Sequence, residues 1–189
     1  LGDEAFTGPF DFGFEFPFYE QSFSQFWIHD NGAIALELPT THVHYRNDCL
    51  PNQNTINLLP VFWDDLDPES GGHIYYQQID PSTIVIQFEQ VPHYDHGGAN
   101  TFQVILEADG TITYQYLDMA DPVDKATIGI QRHVGKGVVE VACNETFIHD
   151  ELAIQFQRGT THIYYWDTFA SGFFGQSDNV VFSLTAYPH

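Results

Sequence analysis

The chain has 189 residues, 26 of them acidic and 5 basic, for a formal charge of −21, with 43% apolar and 16% aromatic content. That much apolar content excludes a disordered acidic tail, and the negative charge disfavours nucleic acid phosphates and anionic membranes as partners while favouring cations. The length suits one domain with a sizeable core, and the sequence holds no apolar run of about 18 residues that would make a transmembrane helix.

Residues 1–9 are small and polar and read as an N-terminal arm, since chain ends are commonly loose. A first residue of Leu1 rather than Met fits a processed, secreted chain. Strict alternation of Phe10, Phe12, Phe14 and Phe16 then opens the folded part. Phe23 to Ile28 and Ala33 to Leu38 flank Asp30-Asn31-Gly32, and Asn-Gly between two such runs predicts a hairpin because both residues tolerate positive φ.

The next run, Leu59-Pro60-Val61-Phe62-Trp63, passes directly into Asp64, Asp65, Asp67 and Glu69. Carboxylates this close repel one another, and beside an apolar strand they also lose hydration. Two readings fit. In one, calcium draws oxygen ligands from Asp64, Asp65, Asp67 and Glu69, with Asp95 of the loop Asp95-His96-Gly97-Gly98 adding another. In the other, the acids form a solvated turn that caps a strand, because their spacing is not that of a regular calcium loop.

Ile74 to Gln78, Thr83 to Gln90, Thr101 to Ala108 and Thr111 to Leu117 are rich in β-branched and aromatic residues, the last two joined through Asp109-Gly110 as a second hairpin. Ala126 to Arg132, Gly137 to Cys143, Ala153 to Gln157 and Val180 to Ala186 bring the total to about ten or eleven strands. The predicted fold is all-β, a two-sheet antiparallel β-sandwich with N- and C-terminal extensions. Its boundaries are an arm over 1–9, a sandwich over 10–158 and a C-terminal aromatic segment with a last strand over 159–189. That last strand can close its own sheet or add to a neighbouring copy.

Cys49 and Cys143 are the only cysteines, and they suit either a disulfide across about ninety residues or two buried thiols. Asn144-Glu145-Thr146 is a glycosylation sequon. His93 with His96, and His42 with His44, have metal-like spacing but offer only two ligands each, so ordinary surface histidines are expected. Tyr164, Trp166, Phe169, Phe173 and Phe174 suit a sugar-stacking platform or a protein interface. Adjacent strand residues such as Asp64 and Asp65 point to opposite faces, which is poor geometry for a catalytic carboxylate pair, and no nucleophile elbow, zinc-protease motif or phosphate loop is present. No enzymatic activity is expected.

Five blocks occur in a telling order: Phe12-Gly13-Phe14-Glu15-Phe16-Pro17-Phe18-Tyr19, Phe26-Trp27-Ile28-His29-Asp30-Asn31-Gly32, Pro60-Val61-Phe62-Trp63-Asp64-Asp65-Leu66-Asp67, Asn100-Thr101-Phe102-Gln103-Val104-Ile105-Leu106, and Ala126-Thr127-Ile128-Gly129-Ile130. Over roughly residues 10–158 the chain resembles the nidogen-like (NIDO-like) β module of secreted bacterial proteins. It is more distantly similar to the NIDO domain of animal basement-membrane and adhesion proteins. The resemblance implies an extracellular, non-catalytic module of the kind appended to secreted proteases, adhesins and other surface proteins. The expected function is a calcium-stabilised structural or adhesive module that assembles with copies of itself or other surface proteins, in the extreme as a filament subunit joined through its terminal strands. The alternative is a carbohydrate-binding accessory module of a secreted hydrolase, with polysaccharide as its partner.

Overall fold

The period-two patterning is realised as twelve strands and, among the described residues, no helix. The computed structural model describes residues 5–38, 45–133 and 136–158 together with the backbone of 182–186. His42, His44, Tyr164, Trp166, Phe169, Phe173 and Phe174 lie outside the described residues.

The first six strands are β1 (Phe6–Phe18), β2 (Gln21–His29), β3 (Ala33–Ala35), β4 (Leu58–Pro60), β5 (His73–Asp80) and β6 (Thr83–His93). They are followed by β7 (Gly97–Glu107), β8 (Ile112–Asp118), β9 (Thr127–His133), β10 (Lys136–Cys143), β11 (Leu152–Arg158) and β12 (Phe182–Ala186). One sheet has the order β1-β2-β3-β4-β9-β10 and the other the order β12-β11-β8-β7-β6-β5. All pairings are antiparallel except that of β12, which lies parallel to β11 with Ile154 opposite Phe182. The architecture is a two-sheet sandwich.

The inner faces meet in one core. Phe12, Phe16, Phe26 and Ile34 come from the first sheet, and Ile86, Phe88, Phe102 and Tyr114 from the second. Each fully buried side chain of this size contributes on the order of 2 kcal/mol. Phe88 and Phe102 stack with centroids 4.6 Å apart across β6 and β7. Two phenols tie the layers together: Tyr114 donates to the Gly129 carbonyl at 2.8 Å, and Tyr116 to that of Val61 at 2.6 Å. Burial pushes both phenols far above their ordinary pKa, so they remain donors.

Three elements differ from the sequence reading. Residues Phe6 to Pro9, placed in an arm, belong to β1, with Phe6 opposite His29 and Thr7 opposite Ile28. Pro9 does not end the strand because β1 is an edge strand and the register shifts between Thr7 and Phe10, where a missing N–H is tolerated. The run Ala33 to Leu38 forms a strand only as far as Ala35, and Leu58–Pro60 forms a three-residue strand too short to show any periodicity.

The outer faces of the two sheets are unlike. Over the first sheet, Ala33, Ala35, Leu58 and Trp63 make a second buried apolar cluster. The segment 47–55 is tied down across β9 beside it. Gln131 donates to the carbonyls of Asn52 and Thr55 and accepts the Asn52 amide, while Thr127 donates to the Asp48 carbonyl. Cys49 and Cys143 are joined there, with Cα atoms 5.4 Å apart.

Candidate functional site

The acidic stretch after Trp63 is a seam between the sheets. Trp63 exchanges backbone hydrogen bonds with Thr127 of β9, while Leu66 bridges His93 at the end of β6. Asp67 N donates to the Pro92 carbonyl and Tyr94 N to that of Asp65, both at 2.9 Å. Four residues therefore carry the chain from one layer to the other.

The predicted hairpin turn is the buried half of this seam. Asp30, Asn31 and Gly32 are all buried, although turns usually face water. One polar oxygen from each of the three accepts backbone amides. Asp30 accepts the Ala5 amide at 2.8 Å, Asn31 Oδ1 accepts that of Leu66 at 2.8 Å, and the Gly32 carbonyl accepts those of Val61 and Phe62.

Within the acidic corner, Asp64 and Asp67 are buried, Asp65 is half-buried, and Glu69 and Asp95 are exposed. Asp64 Oδ1 accepts the Asp65 amide at 2.9 Å, and Oδ2 lies 3.1 Å from Nδ1 of buried His93. The other His93 nitrogen reaches the Ala120 carbonyl at 3.3 Å. Asp67 accepts the hydroxyl and amide of Ser70 and the amide of Glu69. The Ser70 hydroxyl is the main cause that holds the Asp67 carboxyl below its usual pKa; burial opposes it and the two amides add to it.

The structure does not gather the five acids named as calcium ligands. Among the described residues, the one set of three metal-capable side chains with ligand atoms within 4.8 Å of one another is Cys49, Glu140 and Cys143. Two of these are bonded to each other. His93 and His96 do not act together either: His93 is buried against Asp64, whereas His96 is exposed beside the Lys125 ammonium at 2.9 Å. The surface position expected for His93 is thus corrected, because the seam closes over the end of β6. Asn144 of the sequon has φ +52°; its amide donates to Cys143 Sγ at 3.4 Å and its carbonyl accepts from Asn47 at 3.0 Å.

Two features of the second sheet escaped the sequence reading. One is its outer face. Strand register aligns Tyr75, Gln87, Gln103, Gln115 and Ala153 in a row across five strands. The adjacent row is Gln77, Val85, Ile105, Thr113 and Gln155. Neither row carries an acid or a base, in a chain with 26 acidic residues. Gln103 donates to Gln115 at 2.6 Å, and a depression of about 370 Å³ beside them is lined by Gln87, Thr101 and Leu117, with Glu151 as its single carboxylate. The signal was present as Gln at alternate, outward positions of consecutive strands. It becomes a surface only once the registers are known.

The other feature is β5, an edge strand exposed along nearly its whole length, with Tyr75, Tyr76 and Ile79 about half exposed. Edges are ordinarily guarded by Lys, Pro or bulges. The opposite sheet's β1 edge has Pro9, Pro17 and two register shifts, and its β10 edge has Lys136 and Glu140. From His73 to Gln78, β5 has no Lys, acid, Pro or register shift; its one shift falls between Gln78 and Asp80, at the end of the strand.

A family model described as NIDO related matches residues 1–166 of this chain. No curated protein and no solved structure matches.

Proposed function

Since the chain belongs to the NIDO-related family, we propose that it is an extracellular, non-catalytic module of structural or adhesive kind that joins its neighbours by strand addition at β5. The observation that supports assembly is the edge from His73 to Gln78, where no strand among the described residues pairs with the outer side of β5 and no Lys, acid or Pro stands in the way. Pairing of β5 with β5 of a second copy closes a dimer, whereas pairing with a different edge propagates as a filament.

Light scattering on the full chain tests the proposal. Concentration-dependent oligomers that revert to monomer in Ile79→Lys support it. Monomers at every concentration overturn it, and so do oligomers that Ile79→Lys leaves intact.

Calcium is a separable part of the same reading. An ion at the corner has to compete with the donors that already occupy Asp64 and Asp67. We take the corner to be held by those donors, as a chain crossing that positions β5 and β6 rather than as a reactive centre.

A further inference from the structure

We propose that the outer face of the second sheet binds an uncharged polysaccharide, laid across the strands along Tyr75, Gln87, Gln103 and Gln115. The proposal rests on the extracellular reading and names a partner for it.

Charge gives the first argument. With a formal charge of −21 spread over 189 residues, two adjacent rows, ten residues in all, without an acid or base mark a surface fitted to a neutral partner. An anionic polymer is repelled by the rest of the molecule, and a cationic one finds no carboxylate in either row.

Chemistry gives the second. Each glutamine amide presents two donors and an acceptor, which suits the hydroxyl groups of a sugar, since each of those both donates and accepts. Gln103 and Gln115 are hydrogen-bonded to each other, so their amides are already oriented before any ligand arrives. Strands lie about 4.8 Å apart, so the row repeats at about the length of one sugar ring. Tyr75, half exposed at the β5 end, supplies an aromatic face for the apolar side of a ring. Leu117, which is 66% exposed beside the depression, supplies a second apolar contact.

The experiment is affinity electrophoresis of the full chain in gels containing soluble neutral polymers (a β-glucan, a mannan and a galactan) and an anionic control, polygalacturonate. Retardation by at least one neutral polymer and none by the anionic control is expected, with affinity falling roughly tenfold in Gln103→Ala and in Tyr75→Ala. Both side chains are on the surface, so a thermal melt should show each variant folded. Trp166→Ala serves as the control for a sugar platform in the C-terminal segment. The proposal is overturned if no neutral polymer retards the protein, if both face variants bind as the parent does, or if Trp166→Ala alone abolishes binding. None of these outcomes touches the extracellular reading, which surface labelling of intact producing cells tests by itself.

Discussion

Gly32 lies so close to Phe62 that a Cβ on it would come within 2.0 Å of the Phe62 carbonyl oxygen. In return, the Gly32 carbonyl accepts the amides of Val61 and Phe62, both at 3.0 Å, and the turn holds φ +76°. The contact fixes where the chain leaves the first sheet.

Gly32→Ala is therefore expected to lower stability by about 3 kcal/mol or more, combining positive-φ strain with a clash against backbone that has no freedom to retreat. Urea unfolding measures it. A loss below about 1 kcal/mol would show that the seam can shift, and that the packing of Gly32 on Phe62 is not what holds it.

Asp67 gives stability a pH dependence of known sign. Its carboxyl is held below the usual value in the folded chain, chiefly by the Ser70 hydroxyl, so its contribution is present above the unfolded carboxylate pKa of about 3.9 and fades as pH falls through the lower folded value. Ser70→Ala is expected to cost on the order of 1 kcal/mol at neutral pH and to approach the parent in strong acid. A gap that stays constant across the whole acid range would rule out this linkage.

The disulfide closes a loop between positions 94 residues apart, which corresponds to roughly 4.7 kcal/mol on chain-entropy grounds. The double variant Cys49→Ser with Cys143→Ser should melt well below the parent, and adding reductant should bring the parent down to it. The segment 47–55 also has its own hydrogen bonds to Gln131 and Thr127, so its loosening should be seen first in hydrogen exchange near Asn52 and Thr55.

At the acidic corner, melting in excess calcium and in chelator should coincide. An ion bound at a hundred times its dissociation constant adds about 2.7 kcal/mol, which a melt resolves easily. A clear upward shift in calcium that is lost in Asp65→Asn would place an ion there and overturn the self-capped corner.

Much of the fold was legible because the core strands alternate cleanly. Ile84, Ile86 and Phe88 on β6 and Phe102, Val104 and Leu106 on β7 all point inward, and Asp109-Gly110 turns the next hairpin where its residues require. The seam was not legible. Asp64 and Asp67 read as ion ligands because a sequence shows carboxylates but not the amides, hydroxyl and histidine that approach them, and those come from Asp65, Glu69 and Ser70 close by in the chain and from His93, at the end of β6. His93 itself carried no periodic signal at the end of its strand. β4 is too short to show any pattern, and it is defined by its neighbours rather than by its own three residues. The glutamine row was the opposite case: every residue was visible, and only the cross-strand alignment was missing.

The unlike outer faces give this sandwich a front and a back. One is stapled beneath the segment that holds Cys49, and the other, among the described residues, has no segment laid across it and ends in the edge at β5. A module attached through that edge cannot present both sides equally: strand addition extends the bare sheet itself, so each added copy would continue the glutamine face in the same plane. A row of copies would then carry one long, uncharged ribbon along one side, with the stapled sides turned the other way.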